Sequence, residues 1–129
     1  MSVNGSYALE KNENVEAFLK ALGFNDERIN KFVSNKPTIT LTHSGNTLEI
    51  VSKGNDETKN TLTLGSPSNY TLASGFELEV NLTISGNTGK GTLKKGTNTG
   101  EITIEFGDNG ITETFSIGGN SCKRTYKRV

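Results

Sequence analysis

The spacing of hydrophobic residues changes near Pro37, and this change separates a short helical part from a long β part. Before Pro37, apolar residues recur three and four positions apart, which is the spacing of one helix face. The first set is Val15, Phe18, Leu19 and Leu22, and the second is Ile29, Phe32 and Val33. Asn14 and Asn25 precede the two sets and are candidate N-caps. The pattern predicts two short helices joined by a tight loop.

From Pro37 to the C-terminus, hydrophobic and polar residues alternate with a period of two, and turn-forming residues recur at short intervals. The turns delimit nine strands, and residues 3–10 before the helices add a tenth. Ten strands joined by hairpins predict an all-β fold, an antiparallel up-and-down β-barrel with the helix pair inserted after the first strand, because closure removes exposed edges. A barrel of this size is wider than side chains alone fill, so we expect a ligand cavity.

Length and charge narrow the function classes. The 129 residues predict one domain over residues 1–129, with a helical cap at about residues 14–34. Fourteen Lys and Arg balance fourteen Asp and Glu, so no overall field attracts nucleic acid. No apolar run is long enough to span a bilayer, and the N-terminal residues do not resemble a signal peptide. These features predict a cytoplasmic location.

Residues for metal or nucleophilic chemistry are scarce. Cys122 and His43 are the one cysteine and the one histidine. They are too few for an internal disulfide or a usual zinc site, and His43 lies in a strand-like run without a neighbouring nucleophile. The sequence therefore predicts no metal, no cofactor and no enzymatic activity.

The C-terminal strand, SCKRTYKRV, carries charge on both faces. Lysine strongly prefers solvent, so the Lys123 and Lys127 face should point outward, which directs Arg124 and Tyr126 into the barrel. A buried guanidinium requires an acidic partner, ordered water or an anionic ligand. By the same parity, Glu113 shares the apolar face of residues 111–117 and can pair with Arg124, unless a bulge turns it outward.

Three segments together resemble the intracellular lipid-binding proteins, the family of fatty acid-binding and cellular retinoid-binding proteins. They are NGSYALEKNENVEAFLKALG at 4–23, KPT at 36–38 and CKRTYKRV at 122–129. The opening and the ending are most similar to the liver-type fatty acid-binding and bile acid-binding branch. The resemblance implies two near-orthogonal five-stranded sheets, capped by two helices, around a water-containing cavity that holds a fatty acid or similar amphipathic anion.

The resemblance also implies roles for individual residues. Arg124 and Tyr126 correspond to residues that bind the ligand carboxylate. Ile104 stands where long-chain carriers usually have a second arginine, and Tyr126 stands where the liver-type branch typically has serine. The residues expected to line the cavity are Ile39, Leu41, Ile104, Ile111, Glu113, Phe115 and Cys122. The portal is expected at Arg28, Ile29 and Phe32 of the second helix, with Asn55 and Ser74 in the turns at 54–56 and 73–75.

The leading interpretation is a monomeric, non-catalytic intracellular carrier of long-chain fatty acids. A bile acid or retinoid carrier is the alternative within the family. An enzyme would have to use Glu113, Tyr126 and Arg124, although no nucleophile with a nearby base can be named. A further alternative is a membrane-surface structural protein, and a carrier can also make transient membrane contact through its helical cap.

Overall fold

Ten strands and two helices are present in the computed structural model, which describes residues 3–54, 57–72 and 76–129. Their bounds are β1 Gly5–Glu13, α1 Val15–Ala21, α2 Asp26–Ser34, β2 Thr38–Ser44, β3 Thr47–Lys53, β4 Glu57–Thr63, β5 Pro67–Leu72, β6 Phe76–Ser85, β7 Thr88–Lys95, β8 Asn98–Phe106, β9 Gly110–Ile117 and β10 Asn120–Arg128. The helix pair follows the first strand. This arrangement confirms the fold class predicted from the hydrophobic pattern.

The strands form one continuous antiparallel sheet in the order β4-β3-β2-β1-β10-β9-β8-β7-β6-β5. The resemblance implies two five-stranded sheets. In the structure these two halves are continuous, because β1 pairs with β10. No ladder pairs β4 with β5 in the described part of the chain, so closure is nearly complete rather than full. The barrel has a seam between these two strands.

Local sequence accounts for the seam. The turn between β4 and β5 lies at residues 64–66, and Pro67 is the first residue of β5. Proline has no N–H to donate to a ladder and is confined to edge strands or strand starts. The Asn60 side chain bridges the seam instead, since its Nδ2 donates to the Thr71 carbonyl at 3.0 Å and its Oδ1 accepts from the Thr71 N–H at 2.7 Å.

Burial alternates along the strands as the period of two requires. In β9, every second side chain from Ile111 to Ile117 is buried. In β10, Arg124 and Tyr126 are buried whereas Lys123 and Lys127 are exposed, which is the orientation predicted for this strand. The strands thus enclose an interior that is mostly aliphatic and aromatic.

The two helices begin in different ways. Asn25 caps α2 as predicted, because its Oδ1 accepts from the Arg28 N–H at 2.9 Å. Asn14 is the N-cap residue of α1 as predicted, and its carbonyl accepts from the Phe18 N–H, but its side chain forms no capping bond. Its backbone is left-handed, with φ 58°, and its side chain donates to the Ser121 carbonyl at 2.6 Å. That bond holds the start of α1 against β10. No helix among the described residues is long and apolar enough to cross a membrane.

Candidate ligand site inside the barrel

Arg124 is the central polar residue of the interior and is only 8% exposed. Its guanidinium carbon lies 4.7 Å from the centre of the Phe32 ring and 5.4 Å from that of Tyr126. Its Nε donates to Asn12 Oδ1 at 3.1 Å. Among the described residues, Asn12 is the one protein group that accepts a hydrogen bond from Arg124. A guanidinium carries five N–H donors. The terminal amino groups are therefore left to the cavities that Arg124 lines.

Glu113 lies inside the barrel and is 5% exposed. The ladders on both of its sides are in regular register, so no bulge turns it outward; it lies opposite Arg124 on β10 and opposite Ile104 on β8. The nearby Tyr126 side chain favours the charged form of its carboxyl. In the described part of the structure no ion pair within 4.0 Å joins Glu113 to Arg124. The two side chains are near neighbours without direct pairing.

Burial controls the titration of this cluster. It raises the pKa of Glu113 above its ordinary value, and the nearby Arg124 charge and the Tyr126 hydrogen bond act in the opposite direction. Burial also raises the pKa of both the Tyr126 and Tyr70 phenols. It raises the pKa of the Cys122 thiol to about 12. Both phenols and the thiol are consequently neutral near pH 7.

Three small cavities lie inside the barrel, and Arg124 lines two of them. One of about 30 Å³ has mixed polarity; Asn60, Tyr70, Arg124 and Tyr126 are among the residues that line it. A second, of about 20 Å³, is largely apolar and lies beneath α1. The third, of about 10 Å³, contains Glu113 among aliphatic residues. Each has room for at most one or two water molecules, so these cavities are much smaller than the ligand cavity expected from the strand number.

Every residue predicted to line the cavity does line one of the three. Ile39, Leu41, Ile104, Ile111 and Glu113 surround the smallest cavity, while Phe115 and Cys122 lie in the apolar one. Ile39 also contributes to the mixed cavity. Ile39, Phe115 and Cys122 thus share a cavity with Arg124, whereas the other four surround the smallest cavity, which Arg124 does not line.

The predicted portal residues on α2 differ in burial and in whether they line a cavity. Phe32 is buried and lines both the mixed cavity and the apolar one. Ile29 is buried as well, whereas Arg28 is exposed to solvent and lines neither cavity. Asn55 and Ser74 lie outside the described residues.

Sequence reasoning missed three polar residues of the site. Asn12 enters the interior because a bulge between Leu9 and Lys11 shifts the parity of β1. Asn60 shares its face of β4 with the buried Leu62, so period-two alternation was the available signal for it. Tyr70 lies on the six-residue strand β5. Their short strands flank turns, where alternation over so few residues is hard to distinguish from a loop.

Comparison with known proteins identifies the family. No protein-family model matches the chain. The liver-type fatty acid-binding protein of Takifugu rubripes is 32% identical over 95 residues, which cover 73% of this chain and 76% of that protein. The chain belongs to the fatty acid-binding protein family. Fatty acid-binding protein 1 of Manduca sexta is 29% identical over 83 residues, and the match spans a little under two thirds of that relative, 63%.

Solved structures in this family share the fold. A Schistosoma mansoni fatty acid-binding protein in complex with arachidonic acid superimposes with a TM-score of 0.89. The superposition covers 100% of this chain and 98% of that one, at 20% sequence identity. At this identity the similarity shows the barrel architecture alone.

Proposed function

We propose that this chain is a non-catalytic carrier that binds a long-chain fatty acid or a related amphipathic anion inside its barrel. The observation that carries the proposal is the buried Arg124 guanidinium, which has terminal donors unused by the described protein atoms and lies where mixed and apolar cavities meet. A planar guanidinium matches a carboxylate with two parallel hydrogen bonds. The relatives named as fatty acid-binding proteins support the same ligand class.

In the proposed complex the carboxylate binds at Arg124 and Tyr126, and the alkyl chain extends into the apolar cavity beneath α1. That cavity is lined by Val15, Phe18, Leu19, Phe32, Leu78, Phe115, Cys122 and Arg124. Burying the chain provides most of the affinity, at about 0.8 kcal/mol per methylene. Arg124 and Tyr126 then fix the orientation of the ligand.

Binding requires the interior to expand, because each cavity is about the size of one or two water molecules. The Phe32 ring lines both the mixed cavity and the apolar one and lies against Arg124. We propose that a ligand displaces this ring and takes its place beside the guanidinium. The helix that carries Phe32 then moves with it, which places the portal at α2.

The direct test is Arg124→Met, which preserves side-chain length and removes the charge. Hydrogen bonds to charged groups contribute about 1.5–3 kcal/mol, so oleate affinity in a calorimetric titration should fall about 10- to 100-fold. Lys127→Met, on the exposed face of the same strand, is the matched control and should bind as the wild type does. Dodecanol, which has no carboxylate, should bind both variants equally. Unchanged oleate affinity in a folded Arg124→Met protein would contradict the head-group role.

Parallel titrations with a bile salt and with retinol compare the other ligand classes of the family.

Delivery to membranes through the helical cap is a separate proposal. The cap has no net charge to attract an anionic surface, since Lys20, Arg28 and Lys31 balance three acidic residues between positions 14 and 34. The Lys20 ammonium lies 3.7 Å from the Asp26 carboxylate, and the Lys31 ammonium lies 3.7 Å from the Glu27 carboxylate. We therefore expect oleate transfer to vesicles to depend weakly on anionic lipid content. Transfer that accelerates strongly with phosphatidylserine and slows with salt would favour electrostatic docking.

We also propose that the carrier is monomeric and cytoplasmic. The strand edges at the seam face one another and are bridged by Asn60, which leaves little edge for a second copy to pair with. Light scattering coupled to size-exclusion chromatography tests the first point, and a fluorescent fusion tests the second.

A further inference from the structure

The barrel interior contains one charge of each sign. Among the described residues, the buried charged side chains are Glu113 and Arg124. They lie directly opposite each other on β9 and β10. When both are ionised, the interior is electrically neutral before any ligand binds.

In the described part of the chain, the titratable groups that act on Glu113 come from β10 and β5, and Arg124 is the one positive charge among them. Arg124, Tyr126 and Cys122 act on it from β10, and Tyr70 acts on it from β5. On β8 the residue opposite Glu113 is Ile104, which has no charge. The phenols and the thiol are neutral near pH 7 and the guanidinium keeps its proton. Glu113 is thus the member of this cluster that can take up a proton, and its burial raises its pKa and favours the neutral form.

A fatty acid carboxylate at Arg124 would place two negative charges beside one guanidinium. An uncompensated charge in a water-poor interior is strongly unfavourable, and a carboxyl group in that position takes up a proton instead. We propose that an anionic lipid binds at Arg124 together with one proton from solvent, which Glu113 accepts, so that the filled interior remains neutral. This inference rests on the carrier function proposed above and adds that each anion is bound with a proton.

Proton uptake also frees a donor for the ligand. In the unliganded protein the nearby Tyr126 side chain favours the charged form of the Glu113 carboxyl. A protonated Glu113 carries its own O–H and no longer requires a donor at its carboxyl. The Tyr126 hydroxyl can then donate to the ligand carboxylate beside Arg124, which gives the two C-terminal site residues a common role.

Calorimetry with dodecyl sulfate at submicellar concentration tests the proposal, because this probe remains ionised throughout and any proton taken up belongs to the protein. Titrations at one pH in buffers of different ionisation enthalpy give the number of protons taken up per ligand. Repeated from about pH 6 to about pH 10, uptake should rise towards one proton as Glu113 becomes ionised in the free protein. Above that point, affinity should fall about tenfold per pH unit. Binding without proton uptake across this range would overturn the proposal.

Two variants and a neutral ligand assign the proton to Glu113. Glu113→Gln should bind dodecyl sulfate with no proton uptake and with pH-independent affinity. Glu105→Gln, exposed on β8, is the matched control and should retain the wild-type uptake. Dodecanol should bind the wild type without a proton, which provides a test even if Glu113→Gln does not fold. Uptake that persists in a folded Glu113→Gln protein would overturn the assignment.

The outcomes separate this inference from the carrier function. If neither oleate nor dodecyl sulfate binds the wild type, the carrier function itself is contradicted. If both bind without a proton, only the coupling to Glu113 fails. A carboxyl-carbon resonance of Glu113 that moves to its protonated position when dodecyl sulfate is added would support the coupling directly.

Discussion

Replacement of Asn60 by alanine should weaken the barrel at the seam between β4 and β5. Asn60 is 6% exposed and forms two hydrogen bonds to the Thr71 backbone, of 2.7 Å and 3.0 Å. These bonds stand where a strand ladder would otherwise join the two edges. The Ala variant removes both bonds and leaves the Thr71 N–H and carbonyl without this partner.

The magnitude follows from the number of bonds and from the surroundings. A net contribution of about 0.5–1.5 kcal/mol for each hydrogen bond gives a loss of about 1–3 kcal/mol. A dry unpaired backbone group would cost more, but the adjacent 30 Å³ cavity can admit a water molecule to Thr71. We therefore expect the free energy of unfolding to fall by about 2 kcal/mol.

Urea denaturation measures this loss, and hydrogen exchange locates it. The midpoint of Asn60→Ala should decrease while Asn98→Ala, an exposed strand asparagine on β8, should change little. The Thr71 amide should exchange faster in the Asn60 variant because its acceptor is gone. A loss below about 0.5 kcal/mol, with unchanged protection of the Thr71 amide, would show that the side-chain bridge does not hold the seam.

Two further predictions concern the interior. Phe32→Ala should lower stability by about 3–5 kcal/mol and enlarge the two cavities that the ring lines. Oleate should therefore associate faster in stopped-flow mixing, whereas Val33→Ala, at a half-buried neighbour, should change the rate little. Slower association would show that the ring is not the barrier to uptake. Burial raises the pKa of Glu113 above its ordinary value of 4.5, so the folded protein holds this proton more tightly than the unfolded chain. The free energy of unfolding of the wild type should therefore decline as pH rises from 4.5 through the folded-state pKa of Glu113. Urea titrations at a series of pH values measure this decline, which Glu113→Gln should lose and Glu105→Gln should keep.

The sequence by itself determined the elements and the inward face of each long strand. Side-chain direction in a strand has a period of two, so the exposed Lys123 and Lys127 sufficed to direct Arg124 and Tyr126 inward. The same parity placed Glu113 with the apolar residues of β9. These properties are local, and packing against the rest of the protein did not override them.

The tertiary structure decided which polar groups meet and how much space is left between them. Asn12 reaches Arg124 only because a bulge reverses the parity of β1, and no spacing rule indicated that bulge. The Asn14 side chain donates to a carbonyl of β10 that is 107 residues away in the chain. No local sequence pattern indicates a bond between residues so far apart. The cavities are small because side chains from α2, β4 and β5 pack against those of β9 and β10, and the strand number alone carries no information about that packing. Contacts between distant segments depend on the three-dimensional register of the barrel, which is why the seam, the Asn60 bridge and the filled interior became visible only in the folded structure.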